Sequence, residues 1–258
     1  MEWREAGGTR WLEARMPGAT VAFSTRVGGI SAPPFDGLNL GAFTEDERDA
    51  VVDNRHTFAA ALEFAPEQVA IGHQVHGAGM AAHTGPQSPS PFAEPGSAIP
   101  EVDGHVTAEQ GLALLVFVAD CVPVALAGPG GVAMLHCGWR GLAAGIVARG
   151  AEAVGATAAA IGPAIGPCCY EVGTEVLTAL QQPRPTGLNA ASGSAFRPVG
   201  RLDLQEVARR QLSEAGVERV ESSGLCTSCE RELFFSHRRD AGRTGRQAGL
   251  IWRDRGDD

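Results

Sequence analysis

The sequence predicts an α+β protein of layered build with mixed sheets, and three observations carry that expectation. The apolar run from Leu112 to Val118 is too continuous for a half-exposed strand and fits one covered on both faces. Helical segments fall among the strands without the strict βαβ alternation of a Rossmann-type parallel sheet. No GxGxxG stretch opens a helix, which removes the dinucleotide-binding signature.

Taken in order, Thr20 to Thr25 alternates apolar and small polar residues as a strand does, and Arg26-Val27-Gly28-Gly29 then breaks it. Asn39 and Gly41 mark a second irregular segment. Val51, Val52, Phe58, Ala61 and Leu62 set one face of an amphipathic helix within Glu45 to Phe64. Val69 to Met80 reads as a strand, with Gln74 and His76 on one face and His73 on the other, so the HxxH pair makes no two-ligand clamp. Thr84 to Pro100, with five prolines among Ser and Gly, reads as a mobile loop.

Val102 to Thr107 and Leu112 to Val118 are expected as paired or adjacent strands, and Val132 to Leu135 as a short buried one. Leu142 to Val154 has the Ala-rich composition of a helix packed on a sheet. Ala158 to Ile161 forms a strand leading into Gly162-Pro163-Ala164-Ile165-Gly166-Pro167. Helices are expected over Gly173 to Leu180 and Leu204 to Ala215, the second capped by Asp203, with a Pro/Gly/Ser-rich loop over 182–198 between them. Val217 to Ser222, Leu233 to Ser236 and Leu250 to Trp252 supply the last strands, and no internal repeat is present.

Composition narrows the function classes. At 258 residues the chain holds one large or two small domains, and no break in composition forces a split. A net charge of -9 and a pI of about 5.3 argue against duplex nucleic acid or an anionic membrane as partner, leaving a small-molecule substrate. All 21 basic residues are Arg, so neither a phosphate-loop lysine nor a pyridoxal Schiff base can be built. Met1 to Pro17 has no apolar signal-peptide core, and Leu112 to Ala119 falls far short of the ~20 residues of a membrane span. A cytoplasmic protein follows as an expectation, with six Cys serving as thiols, ligands or buried apolar groups rather than a disulfide framework.

The candidate chemistry lies in three segments: Gln74-Val75-His76-Gly77, Ala119-Asp120-Cys121, and His136-Cys137-Gly138-Trp139-Arg140-Gly141. His76, Cys121 and His136 each close an apolar stretch and are followed within two positions by Gly or Pro, as at a loop-lined edge where sites form. Three protein ligands would leave the fourth position of a tetrahedral zinc free for water or substrate, with Cu(II) the competing occupant. Spacing alone leaves a metal site and three unrelated buried residues as open alternatives. Asp103 or Asp120 is placed to orient an imidazole or act as a base, or else to cap a turn. Arg140 before a helix and Arg26 before Gly28-Gly29 are anion-capable, or else surface arginines. Cys226-x-x-Cys229 and Cys168-Cys169 supply four thiols, but adjacent Cys168 and Cys169 are expected to ligate one ion uncomfortably. Five Arg between Arg231 and Arg246 suit a solvated hairpin or contacts to a phosphate or a partner subunit.

These residues converge on a family. The chain resembles the YfiH/laccase-domain (multicopper polyphenol oxidase-like) proteins, regarded as purine nucleoside phosphorylases. The resemblance rests on Thr25-Arg26-Val27-Gly28-Gly29, Asn39-Leu40-Gly41, the three segments above with Val122-Pro123-Val124, Gly162 to Val172, Cys226-Thr227 and Phe234-Phe235-Ser236-His237-Arg238-Arg239-Asp240. It implies a single α/β/β/α domain over 1–258 with its core over about 20–252. It implies zinc, with copper as an alternative, on His76, Cys121 and His136, and phosphorolysis of adenosine, inosine and methylthioadenosine with some adenosine deamination. It also admits a homodimer. For that reaction Asp120 is assigned to catalysis beside the ligands, Arg26 and Arg140 to phosphate, and Asn39 and Gln74 to the nucleoside. Cys137 stands where the family usually has Ala, and His237 where Tyr is common.

A full laccase is excluded by inventory, since its copper centres need about ten His, largely in HxH pairs, and this chain has seven with no HxH. A single copper oxidising phenols weakly, a hydrolase editing peptidoglycan precursors, and a non-catalytic zinc-stabilised binding module are the remaining readings.

Overall fold

The structure is a computed structural model, and it describes residues 1–97, 99–180 and 200–254. The loop expected over 182–198 lies outside the described residues. The chain opens with an antiparallel meander, β1 (Glu2–Ala6), β2 (Thr9–Met16) and β3 (Ala19–Ser24), then an irregular segment and helix α1 (Arg48–Ala61). Short strands β4 (Val69–Ala70) and β5 (Met80–Ala82) precede β6 (Gly104–Thr107), β7 (Ala113–Val118), β8 (Val122–Gly128) and β9 (Gly131–Cys137). Helices α2 (Trp139–Ala143) and α3 (Ile146–Val154) lead to β10 (Ala158–Ile161), β11 (Glu171–Val172) and α4 (Thr174–Ala179). The rest comprises β12 (Gly200–Arg201), α5 (Leu204–Glu214), β13 (Arg219–Ser222) and β14 (Gln247–Arg253).

Two six-stranded sheets form, in the orders β1-β2-β3-β14-β7-β4 and β13-β10-β8-β9-β6-β5. Both are mixed: β4 with β7, β5 with β6, and β10 with β13 are parallel, and the other pairs antiparallel. Three apolar layers hold the stack together. Leu12, Val21, Phe23, Leu114, Val116, Met134 and Ile251 fill the space between the sheets. Phe58 and Ala59 of α1 pack with Trp11, Leu115 and Leu250 on the outer face of the first sheet. Ile146, Val147 and Val154 of α3 and Leu204, Val207 and Leu212 of α5 pack with Val124, Leu126 and Leu135 on the outer face of the second. The expected layered α+β fold with mixed sheets is therefore the one that forms. β7 shows why its apolar run is unbroken, because Leu114, Val116 and Val118 face the other sheet while Ala113 and Leu115 face the α1 side.

Several expectations are corrected. Val69 to Met80 is a strand only at its ends, and the intervening loop crosses from one sheet to the other. β6 and β7 belong to different sheets rather than pairing. The helix expected from Leu142 to Val154 is broken at Gly145, whose φ of 80° lies in the left-handed region that glycine tolerates. Leu233 to Ser236 forms no strand; Phe234 and Phe235 are buried by the turns around them. β1, β2 and β8 carry strands that the pattern did not reveal.

The proline-rich segment expected as a mobile loop is packed. Phe92 is fully buried, and the Gln87 side chain exchanges hydrogen bonds with the backbone of Ile71 at 2.8 and 3.0 Å. Arg55 of α1 anchors it, donating to the carbonyls of Pro91 and Phe92, each at 3.0 Å, and of Leu40 at 2.8 Å. Its guanidinium lies 5.0 Å from the ring centroids of both Phe92 and Phe117, and burial lowers its pKa to about 10.

Replacing Arg55 by Met would leave three carbonyls short of a donor, and urea unfolding should show a loss of roughly 2–4 kcal/mol. His105, buried on β6 with Nδ1 3.0 Å from Nε2 of His83, is held down to a pKa of about 3 by burial and then by His83. The folded state therefore binds fewer protons than the unfolded chain between about pH 3 and 6.5, and stability falls as pH drops through that window, by roughly 1.4 kcal/mol per unit. His105→Gln should flatten the slope between pH 6.5 and 5; an unchanged slope would put its origin elsewhere.

Candidate active site

The strand directions gather the informative motifs at one end of the stack. β4, β7 and β9 end there, β8 and β14 begin there, and β3 and β10 deliver Thr25-Arg26 and Gly162-Pro163 to the same edge. The chain also crosses between the sheets three times at this end, from β4 to β5, from β7 to β8 and from β13 to β14. His76 sits in the first crossing and Cys121 in the second. His136 is the penultimate residue of β9. Alternation along β9 puts Val132 and Met134 toward the other sheet and Ala133, Leu135 and Cys137 toward the helices, so His136 turns inward and Cys137 away.

The donor atoms of His76, Cys121 and His136 all lie within 4.8 Å of one another. The two imidazole rings stand edge to face, 4.8 Å apart at 77°. His73 is not among the converging donors; it stacks on Phe43 at 4.9 Å. Backbone φ is 61° at His76 and 95° at Asp120, a conformation that non-glycine residues hold only where surrounding contacts enforce it. Gly138 makes room for the cluster, since a Cβ there would sit 3.1 Å from the His76 ring and 3.2 Å from the Cys121 sulfur.

Asp103 supplies the enforcement. Fully buried just before β6, it accepts the backbone N–H groups of Val75, His76 and Gly77 at 3.2, 2.9 and 2.7 Å. Its Oδ1 also lies 2.7 Å from Nδ1 of His136, which leaves Nε2 of that ring for Cys121. Of the two carboxylates singled out in the sequence, Asp103 is the one that orients an imidazole. Burial raises the Cys121 thiol, yet the charge and hydrogen bond of His136 and the hydrogen bond of His76 outweigh it and bring the pKa down to about 6. Burial likewise disfavours charged His136, but Cys121 and Asp103 together lift it to about 9. Cys137 is pushed up by burial and by its anionic neighbours, as an inert core thiol would be. Two imidazoles and one thiolate on a conformationally fixed frame fit a divalent metal of borderline softness.

A cavity of about 470 Å³ opens beside the cluster, in the range of small-molecule sites. Phe43, Phe117, Trp139 and Tyr170 line it, as do three arginines, Arg140, Arg238 and Arg246. Arg140 stacks over Trp139 at 4.3 Å, and its guanidinium has no hydrogen-bond or ion-pair partner among the described residues. Arg140 does not precede a helix but is the second residue of α2, which has only five residues, so any anion preference here rests on the guanidinium itself. Arg238 lies over Tyr170 and donates to the Glu171 carbonyl at 2.8 Å. Burial lowers Arg246, which donates to the carbonyls of Thr244 and Gly245.

Other predicted residues take different positions. Arg26 lies outside this cavity, paired with Asp36 at 2.8 Å and stacked on Phe235, because β3 delivers it to a neighbouring hollow. Asn39 is buried with its amide consumed: it donates to Thr44 and Asp46 and accepts from the backbone of Gly41 and Arg246. It thus braces Arg246 and is not among the residues that line the cavity. Gln74 lines the cavity, but its amide is bonded in both directions to the backbone of Phe117. Both oxygens of Asp120 accept at 2.6 Å, from Thr227 Oγ1 and the Arg238 backbone, so that carboxylate secures loops. Phe43, Tyr170 and Leu204 were missed as lining residues because they come from segments far apart in sequence, with no shared period to join them.

Sequence and fold together place the chain in the laccase-like class. The chain belongs to the family described as multi-copper polyphenol oxidoreductase laccase, whose model matches residues 20–254. It is 41% identical to the purine nucleoside phosphorylase YlmD of Geobacillus stearothermophilus, covering 94% of each chain. It is 38% identical to the purine nucleoside phosphorylase YfiH of Escherichia coli, over 91% of this chain and 94% of that one. Among solved structures, Bacillus licheniformis YfiH matches with a TM-score of 0.85 at 34% identity, over 98% of this chain and 99% of that chain. The Geobacillus stearothermophilus YlmD structure matches with a TM-score of 0.83, covering 98% of each chain at 39% identity. No helix among the described residues is long and apolar enough to cross a membrane.

Asp103→Ala frees both the His76 loop and the His136 ring. Metal affinity measured by chelator competition should fall by about 10- to 100-fold.

Proposed function

We propose that this protein is a zinc-dependent purine nucleoside phosphorylase acting on adenosine, inosine and methylthioadenosine, with adenosine deamination as a side activity. The names of its relatives support the class of reaction. The observation that carries the reading is one cavity in which an aromatic wall, three arginines and the His76/Cys121/His136 cluster meet. In phosphorolysis a phosphate oxygen bonds to the anomeric carbon as the N-glycosidic bond breaks, and the purine leaves with the electron pair and takes up a proton. The site must therefore hold a dianion next to the sugar and steady the charge that develops on the base.

Arg140, uncommitted and held flat by Trp139, is the phosphate contact, with Arg246 and Arg238 completing the cationic side. Phe43, at the cavity rim and 74% exposed, is placed to cover a purine ring. His76, Cys121 and His136 would hold the zinc, which when bound would supply a Lewis acid to this cavity. Two His and one Cys also suit copper, so weak phenol oxidation in copper-loaded protein is a secondary property of the same donors.

Zinc-loaded, copper-free protein should release adenine and hypoxanthine from adenosine and inosine only when phosphate is present, and His76→Ala should abolish the release. Inosine as the only product of adenosine, with or without phosphate and with no base released, would mark the site as chiefly a deaminase, and no turnover of either nucleoside would reject the reading. Arg140→Ala should raise KM for phosphate by about 10- to 100-fold, the worth of one charge-assisted contact, and change KM for the nucleoside far less.

A further inference from the structure

The four remaining cysteines lie behind the cavity wall, and strand pairing brings them together. β10 and β13 run parallel from Ala158↔Arg219 to Ile161↔Ser222, so the loops that follow leave the sheet side by side. The ladder continues past the strands: Ala164 donates to the Leu225 carbonyl at 3.3 Å and accepts from the Thr227 N–H at 3.0 Å. Cys168 and Cys169 stand on the first loop, Cys226 and Cys229 on the second. Their sulfurs all lie within 4.8 Å of one another, and that of Cys229 is 3.4 Å from Cys168 and 3.5 Å from Cys169. All four are free thiols.

The adjacency of Cys168 and Cys169, unfavourable in the sequence, is resolved by a tight turn. The N–H groups of Cys169 and Tyr170 both donate to the Gly166 carbonyl at 3.0 Å, and the two side chains converge on Cys229 from that turn. Gly166 N–H donates to Cys226 Sγ at 3.2 Å, the contact that steadies a thiolate. A Cβ on Gly166 would come within 3.2 Å of Cys226 and 3.3 Å of the Cys168 sulfur, so the glycine lets the thiols close up. A zinc ion with four sulfurs at about 2.3 Å spaces them about 3.8 Å apart. The separations of 3.4 and 3.5 Å lie just inside that edge and well beyond a disulfide bond. Cys229 faces both adjacent cysteines almost equally, whereas a disulfide would choose one.

We propose that Cys168, Cys169, Cys226 and Cys229 bind one zinc ion as a closed four-thiolate site, separate from the His76/Cys121/His136 cluster. Its role is to fasten the two loops whose next residues build the cavity. Tyr170 follows Cys169 and lines the wall, and Thr227 follows Cys226 and bonds Asp120. The site therefore sets the position of the Asp120 crossing without touching substrate.

The proposal does not depend on the phosphorylase reading, because metal content is read without turnover. Protein purified under reducing conditions with zinc should carry two equivalents per chain, and His76→Ala, which damages only the other site, should retain one. Cys229→Ser and Cys168→Ser should each lose one equivalent. Cobalt-substituted His76→Ala should show intense sulfur-to-metal charge-transfer absorption, and its four-thiol loops should resist alkylation until a chelator is added. One zinc in the wild type with these thiols freely alkylated would overturn the proposal, even if the serine variants failed to fold. So would a mass lower by two hydrogens per bridge, which identifies disulfides in place of metal.

Discussion

Everything at the functional end of the molecule depends on one buried carboxylate. Asp103 accepts three successive backbone N–H groups from the His76 loop and holds His136 through Nδ1, so two histidines of the cluster from different parts of the chain share one anchor. Its position is fixed in turn by β6 pairing with β9, where the His136 N–H donates to the Asp103 carbonyl at 2.7 Å. A charge taken out of water is tolerated only where its acceptor capacity is filled, and here the partners that fill it are the parts of the site. Folding and assembly of the cluster are thus the same event on this side of the cavity.

The opposite side is built by a different rule. The chain carries a net charge of -9, yet three guanidinium groups face the cavity, each against an aromatic ring or backbone carbonyls. Arginine suits this arrangement because its planar, delocalised cation stacks and keeps its charge when half desolvated, which an ammonium does less readily. The arginine side of the cavity is therefore opposite in sign to the net charge of the whole molecule, and an anion would be drawn towards it.

Much of the fold was legible because the chemistry that specifies it is local. Asp203 caps α5, accepting the Glu206 N–H at 3.1 Å, and the run now seen as β7 is covered on both faces as its composition required. β8 escaped because Pro123 and small alanines interrupt its pattern while it is buried between β9 and β10. The His/Cys/His cluster was legible from motifs. The roles of Arg26 and Asn39 were not, because sequence order does not tell whether a loop side chain points into a cavity or into the structure that supports it. Arg26 pairs with Asp36, and Asn39 braces Arg246. The segment with Phe92 read as mobile because its prolines and serines hide one fully buried ring, held by an arginine 37 residues earlier.

β14, nearly the last stretch of the described chain, lies in the middle of the first sheet, hydrogen-bonded to β3 on one side and β7 on the other. A Cβ on its Gly249 would meet Met134 of the second sheet at 2.1 Å, so the close packing of the second sheet on this glycine also waits for the strand. During synthesis on the ribosome, β3 and β7 emerge long before the segment that joins them. The nascent chain must therefore hold two open strand edges, and an unfilled core, until residue 253 has cleared the exit tunnel.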